Sequence, residues 1–127
     1  MRWIRSNKQC SSRTTGTAWE QVAEHFLSEQ GLVSVDKNFH SRFGEIDLIM
    51  QDDDCLVFIE VKFRQKSNFG GAINAVNHTK QQKLHQTAKF FLQQHGLNEY
   101  NTSCRFDVVA IEGTTNPPNI TWLKNAF

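Results

Sequence analysis

The chain has 127 residues, a net charge of +1 and three cysteines, a length that suits one domain built around a single core. No apolar run approaches the ~20 residues needed to span a bilayer. Arg2, Arg5, Lys8 and Arg13 have no apolar stretch behind them, so a secretory signal is not expected and the expected compartment is the cytoplasm.

Residues 1–15 are polar and basic and read as a flexible arm, leaving 16–127 as one domain. Trp19, Val22, Ala23 and Phe26 recur at helical spacing and predict a helix over 17–30, stopped by Gly31. Leu32 to Asn38 reads as a first strand, and Arg42-Phe43-Gly44 as a turn or the entry to the next strand. Glu45 to Met50 is a second strand and Leu56 to Phe63 a third, joined through the turn-forming run Asp52-Asp53-Asp54. Ser67 to Gly71 reads as a flexible loop. Asn77 or Thr79 then caps a long helix running to about His95, with Leu84, Ala88, Phe91 and Leu92 as its buried stripe. Arg105 to Ile111 is a fourth strand; Pro117-Pro118 breaks the chain before a short last strand at Ile120 to Leu123. The order predicts an α/β fold with a mixed central sheet flanked by helices.

Cys10, Cys55 and Cys104 are far apart and form no CxxC pair, so they read as reduced thiols rather than a disulfide framework or a zinc knuckle. The charges are segregated. Residues 20–60 hold ten acids against Lys37 and Arg42, whereas residues 61–98 hold no acid but carry Lys62, Arg64, Lys66, Lys80, Lys83 and Lys89. An acidic block followed by a basic one suits a metal site beside a phosphate-binding surface; the alternative is that the blocks neutralise each other in the fold.

If Asp53-Asp54 is a two-residue hairpin loop, Asp52 pairs with Cys55 and counting back puts Asp47 opposite Glu60; a four-residue loop with the same centre keeps that register, and a three-residue loop shifts it by one. Lys62 shares the face of Glu60, while Val57, Ile59, Val61 and Phe63 point the other way. Opposed carboxylates with Cβ atoms roughly 4.5–5.5 Å apart repel each other unless a cation intervenes. Lys62 supplies one charge, and a divalent ion with hard oxygen ligands, Mg²⁺ or Mn²⁺, supplies more. The Val61 carbonyl is a further candidate ligand. Such a site can polarise a phosphodiester and activate water, with the lysine orienting the water or stabilising developing charge. The competing reading is a cross-strand salt bridge, disfavoured by how apolar the third strand is.

Gly44-Glu45-Ile46-Asp47-Leu48-Ile49, with its spacing to Glu60-Val61-Lys62, resembles the PD-(D/E)xK nuclease superfamily. From about Thr15 to Phe127 the chain more closely resembles the YraN-like family of uncharacterised bacterial proteins, which are related in fold to Holliday-junction resolvases. Gly16-x-x-x-Glu20, Lys80 with Leu84 and Ala88, Arg105-Phe-Asp-Val-Val109 and Asn125-Ala-Phe127 carry the rest of the match. The resemblance implies a restriction-endonuclease-like α-β-β-β-α-β core. It also implies metal-binding roles for Asp47 and Glu60, a catalytic role for Lys62, and an acid presented from the first helix at Glu20. Ile46 stands where the proline that names the superfamily would be.

Glu20 has a rival role in a capping box with Thr17. Glu24 reads as solvated, Glu45 as peripheral to the site, and Asp107 as the structural partner of Arg105. Lys80 and Lys83 share a helix face and, with Arg64, are candidates for phosphate contacts. His78, His85 and His95 read as surface residues. Metal-dependent hydrolysis of DNA, with branched DNA as the substrate and a homodimer as the assembly, is the resulting expectation; a DNA-binding module without catalysis and a protein-interaction scaffold are the alternatives.

Overall fold

A computed structural model of the chain describes residues 15–64, 76–113 and 116–127. The elements are α1 (Thr15–Glu29), β1 (Val33–Ser41), β2 (Gly44–Asp52), β3 (Cys55–Arg64), α2 (His78–Gln94), β4 (Cys104–Glu112) and β5 (Asn119–Leu123). The arm expected over 1–15 lies outside the described residues except for Thr15, which opens α1; the loop expected at Ser67 to Gly71 also lies outside them.

The tight Asp53-Asp54 turn, with Asp53 in the left-handed region at φ 53, sets the β2–β3 register. Asp52 faces Cys55, and the pairing runs unbroken to Leu48 opposite Ile59. The five strands lie in the order β1-β2-β3-β4-β5. β3 and β4 are parallel, because α2 carries the chain across one face between them, and the other neighbours are antiparallel. This is the α/β architecture anticipated, with the α-β-β-β-α-β order and β5 added at one edge.

The two helices bury opposite faces of the sheet. Ala23 and Leu27 of α1 pack with Leu48, Met50, Val57, Ile59, Val109 and Ile111. Leu84, Ala88, Phe91 and Leu92 of α2 pack with Phe39, Ile46, Ile49, Leu56, Phe58, Phe106 and Val108. β3 is therefore apolar on both faces, and Glu60, at 5% exposure, is an ionisable group in the central layer. Asn77 caps α2 through its side chain, which accepts from the Lys80 backbone N–H at 2.9 Å, and Gly96 at φ 71 follows the C-cap His95.

The α1 start corrects one expectation. With α1 beginning at Thr15, Thr17 falls inside the helix rather than at its N-cap, so the capping-box role for Glu20 is removed; the Thr17 side chain lies outside the described residues. Asp107 is fully buried and is bound by Arg105 Nε (3.0 Å), Trp122 Nε1 (2.9 Å) and the Asn125 backbone N–H (2.8 Å), a structural hub tying β5 and the C-terminal residues to β4. Cys55 and Cys104 are free thiols on adjacent strands, packed against opposite cores. His85 is exposed as expected, although its ring packs on Phe106 and Phe127. Among the described residues no helix is long and apolar enough to cross a membrane.

Candidate functional site

At Asp47 the regular pattern of β2 breaks. Ile46 and Leu48 are two residues apart, yet Ile46 packs in the α2-side core and Leu48 in the α1-side core. Strand alternation would put both on one face. The β2–β3 ladder also stops at Leu48, one pair short of Asp47 facing Glu60. On the other side, Asn38 of β1 falls between the Lys37–Leu48 and Phe39–Ile46 pairs and adopts φ 52, the left-handed conformation that Asn tolerates.

The opening of the ladder leaves the Val61 N–H facing β2, and the Asp47 carboxylate fills the gap, accepting from that N–H at 2.9 Å. Asp47 is thereby fixed against the residue lying between Glu60 and Lys62. From α1, Glu20 reaches Asp47 and Asn38; its Oε1 is buried without a hydrogen-bond partner. On the α2 side, Glu60 Oε2 is held by Lys62 Nζ at 3.2 Å and by Lys80 Nζ at 2.5 Å. Acids from α1, β2 and β3 thus meet where the sheet opens, with two lysines beside them.

Protonation follows from this crowding. Burial, then the charge of Glu60, pushes Asp47 up to about 8, against the pull of the Val61 N–H. Glu20 is raised as well, chiefly by burial. Lys62 is lowered, first by burial and then by the adjacent Lys80. Burial also pulls Lys80 down, but its close contact with Glu60 outweighs that and leaves it above the ordinary lysine value.

A cavity of about 430 Å³ opens onto Asp47, Glu60 and Lys80 and is lined also by Gly44, Glu45, Asn77, Thr79, Lys83 and Leu84; Glu20 and Lys62 are not among its lining residues. Lys83 faces the same cavity as Lys80, as their spacing on α2 implied. Arg64 sits at the end of β3 in register with Glu112 and is not among the lining residues. Glu45 lines the rim and lies 3.4 Å from His40.

Two expectations are corrected here. Glu24 is not solvated: its side chain is 15% exposed, bonded to the Ser34 hydroxyl and paired with Lys37 at 3.2 Å. Asp47 and Glu60 do not sit as a simple facing pair, because the ladder ends first and Asp47 turns toward the Val61 backbone. Asn38 and the Lys80–Glu60 contact were missed. An Asn between Lys37 and Phe39 in the middle of β1 was the available signal for the first; nothing local signals the second, which joins residues twenty apart in sequence.

Among the described residues no group of three or more His, Cys, Asp and Glu side chains stands in a metal-holding arrangement. Glu60 is turned to the lysines and Asp47 to the backbone. The donor chemistry nevertheless suits a hard divalent cation. The oxygens belong to carboxylates, one of them is buried and unpartnered, and burial beside Glu60 drives Asp47 toward its neutral form.

The chain is similar to known proteins over nearly all its length. Residues 19–111 match the model of the uncharacterised protein family UPF0102. A UPF0102 protein of Colwellia psychrerythraea is 55% identical, over 96% of this chain and 95% of its own. One from an Enterobacter species is 50% identical over 92% of this chain and 86% of its own, and one from Nitrosococcus oceani is 45% identical over 94% and 96%.

Proposed function

The chain belongs to the UPF0102 family, and we propose that it is a metal-dependent phosphodiesterase acting on DNA, with branched or otherwise structured DNA as the favoured substrate. One observation carries the proposal. The Asp47 carboxylate is bonded to the backbone of Val61, between Glu60 and Lys62, at the point where the sheet opens to a cavity. An ion pair serving stability alone has no need of a third acid, Glu20, whose Oε1 is left buried without a partner.

Asp47 and Glu60, with the Val61 carbonyl, would hold Mg²⁺ or Mn²⁺. Such an ion supplies a water of lowered pKa and polarises a phosphate oxygen. The protein's own groups do the rest. Lys62, kept beside Glu60 and lowered by burial, is suited to exchange a proton with the attacking water at Nζ. Lys83 and the first turn of α2 line the approach and would bind the phosphates flanking the scissile bond. Glu20 would orient Asp47 from the α1 side.

The test is a cleavage panel with Mg²⁺ or Mn²⁺ on four-way junction, duplex and single-stranded DNA. Wild type is compared with Asp47→Ala and Lys62→Ala. Cleavage by wild type and a loss of at least about a hundredfold in both variants supports the proposal. Equal cleavage by all three points to a contaminant and removes it. Salt-sensitive binding without cleavage assigns a binding module; no binding and no cleavage leaves a protein-interaction scaffold.

A further inference from the structure

Glu60 holds more positive charge than it can use. Both Lys62 and Lys80 contact the same oxygen, Oε2, and the carboxylate is 6% exposed. The lysines are not equivalent. Lys62 rises from β3 two residues from Glu60, is 20% exposed and is not among the residues lining the cavity. Lys80 comes from the first turn of α2, is 41% exposed, and stands at the mouth of the cavity beside Lys83, with open space to turn into.

We propose that Lys80 is an exchangeable counter-ion: it occupies Glu60 in the metal-free protein, gives that carboxylate up to a divalent cation, and turns outward onto a DNA phosphate. This inference rests on the reading of the site given above and adds an order to it. Before exchange, Lys80 neutralises Glu60 and keeps a buried acid from standing beside Asp47 uncompensated. After exchange, the like charges of the cation and Lys80 repel, and the more exposed, more flexible lysine is the one that leaves. Its movement adds a phosphate contact beside Lys83 only when the acidic cluster is loaded, which couples DNA binding to metal binding.

The opposing effects of one substitution test this. Mn²⁺ binding to the full chain is measured by calorimetry without DNA for wild type, Lys80→Met and Lys80→Arg. Binding of fluorescent four-way junction DNA is then measured by anisotropy at several salt concentrations with Mn²⁺ saturating, and circular dichroism checks that each variant is folded. Lys80→Met is expected to bind Mn²⁺ on the order of tenfold more tightly, because a competing cation is gone. It should bind junction DNA several-fold more weakly, with a salt dependence reduced by about one phosphate contact. Lys80→Arg should bind both ligands like wild type to within about threefold. A folded Lys80→Met whose Mn²⁺ affinity is unchanged or weaker, or whose DNA affinity is unchanged, overturns the exchange while leaving the metal site standing. A wild type that binds no Mn²⁺ overturns the site reading and the exchange together.

Discussion

Replacing Asp47 with Asn should stabilise the metal-free protein, the opposite of what deleting a charge from an ordinary salt bridge would do. The Asp47 carboxyl rises from 3.8 to about 8 on folding, so ionising it inside the fold opposes stability. The effect is absent below about pH 4, where folded and unfolded chains are both protonated, grows as pH rises, and is complete above about pH 8. At pH 7 the full shift corresponds to about 4 kcal/mol. Part of this is shared with Glu20 and Glu60, and the recovery in Asp47→Asn should be about 1–3 kcal/mol. Asn keeps an acceptor for the Val61 N–H and brings a donor toward the unpartnered Glu20 Oε1. Urea unfolding in chelator at pH 5, 6, 7 and 8 measures it. The variant's advantage should be small at pH 5 and widen to pH 8. A variant equal to or less stable than wild type at pH 8 would refute the claim that burial beside Glu60 and Glu20 makes ionised Asp47 costly.

Glu60→Ala removes the anion between Lys62 and Lys80 and should cost about 2–4 kcal/mol in the same unfolding assay, more than Glu60→Gln, which keeps an acceptor for both. Asp107→Ala strands Arg105, the Trp122 indole N–H and the Asn125 N–H; a loss of about 3–5 kcal/mol is expected, with a change in tryptophan fluorescence reporting release of β5. Phe91→Ala hollows the α2-side core beneath Phe39 and Phe58 and should cost about 3–5 kcal/mol without altering Mn²⁺ affinity in calorimetry.

Much of this molecule was legible because local signals agreed. The Asp run between two apolar segments gave the turn, and the turn gave a register that holds through Leu48 and Ile59. The α2 stripe of Leu84, Ala88, Phe91 and Leu92 and the Asn77 cap were equally direct. The site was legible in part. Parity placed Glu60 and Lys62 on one face, and both meet there. The break at Asp47 was not legible, since it depends on where pairing with β3 stops and on the backbone of Asn38 across the sheet. Non-local pairing also hid Lys80 on Glu60, and it hid Glu24 among Ser34 and Lys37, where helical spacing alone suggested a solvated acid. The acidic and basic blocks meet at Glu60, where Lys62 and Lys80 pair with it, the mutual neutralisation that was the alternative reading of their segregation.

A crystal soaked in Mn²⁺ and measured at the manganese absorption edge addresses the site most directly. One anomalous peak flanked by the carboxylates of Asp47 and Glu60, lost in Asp47→Asn, is the predicted result. An Mn²⁺-soaked crystal with no peak there, or with manganese bound only at surface acids such as Asp53 and Asp54, would contradict it.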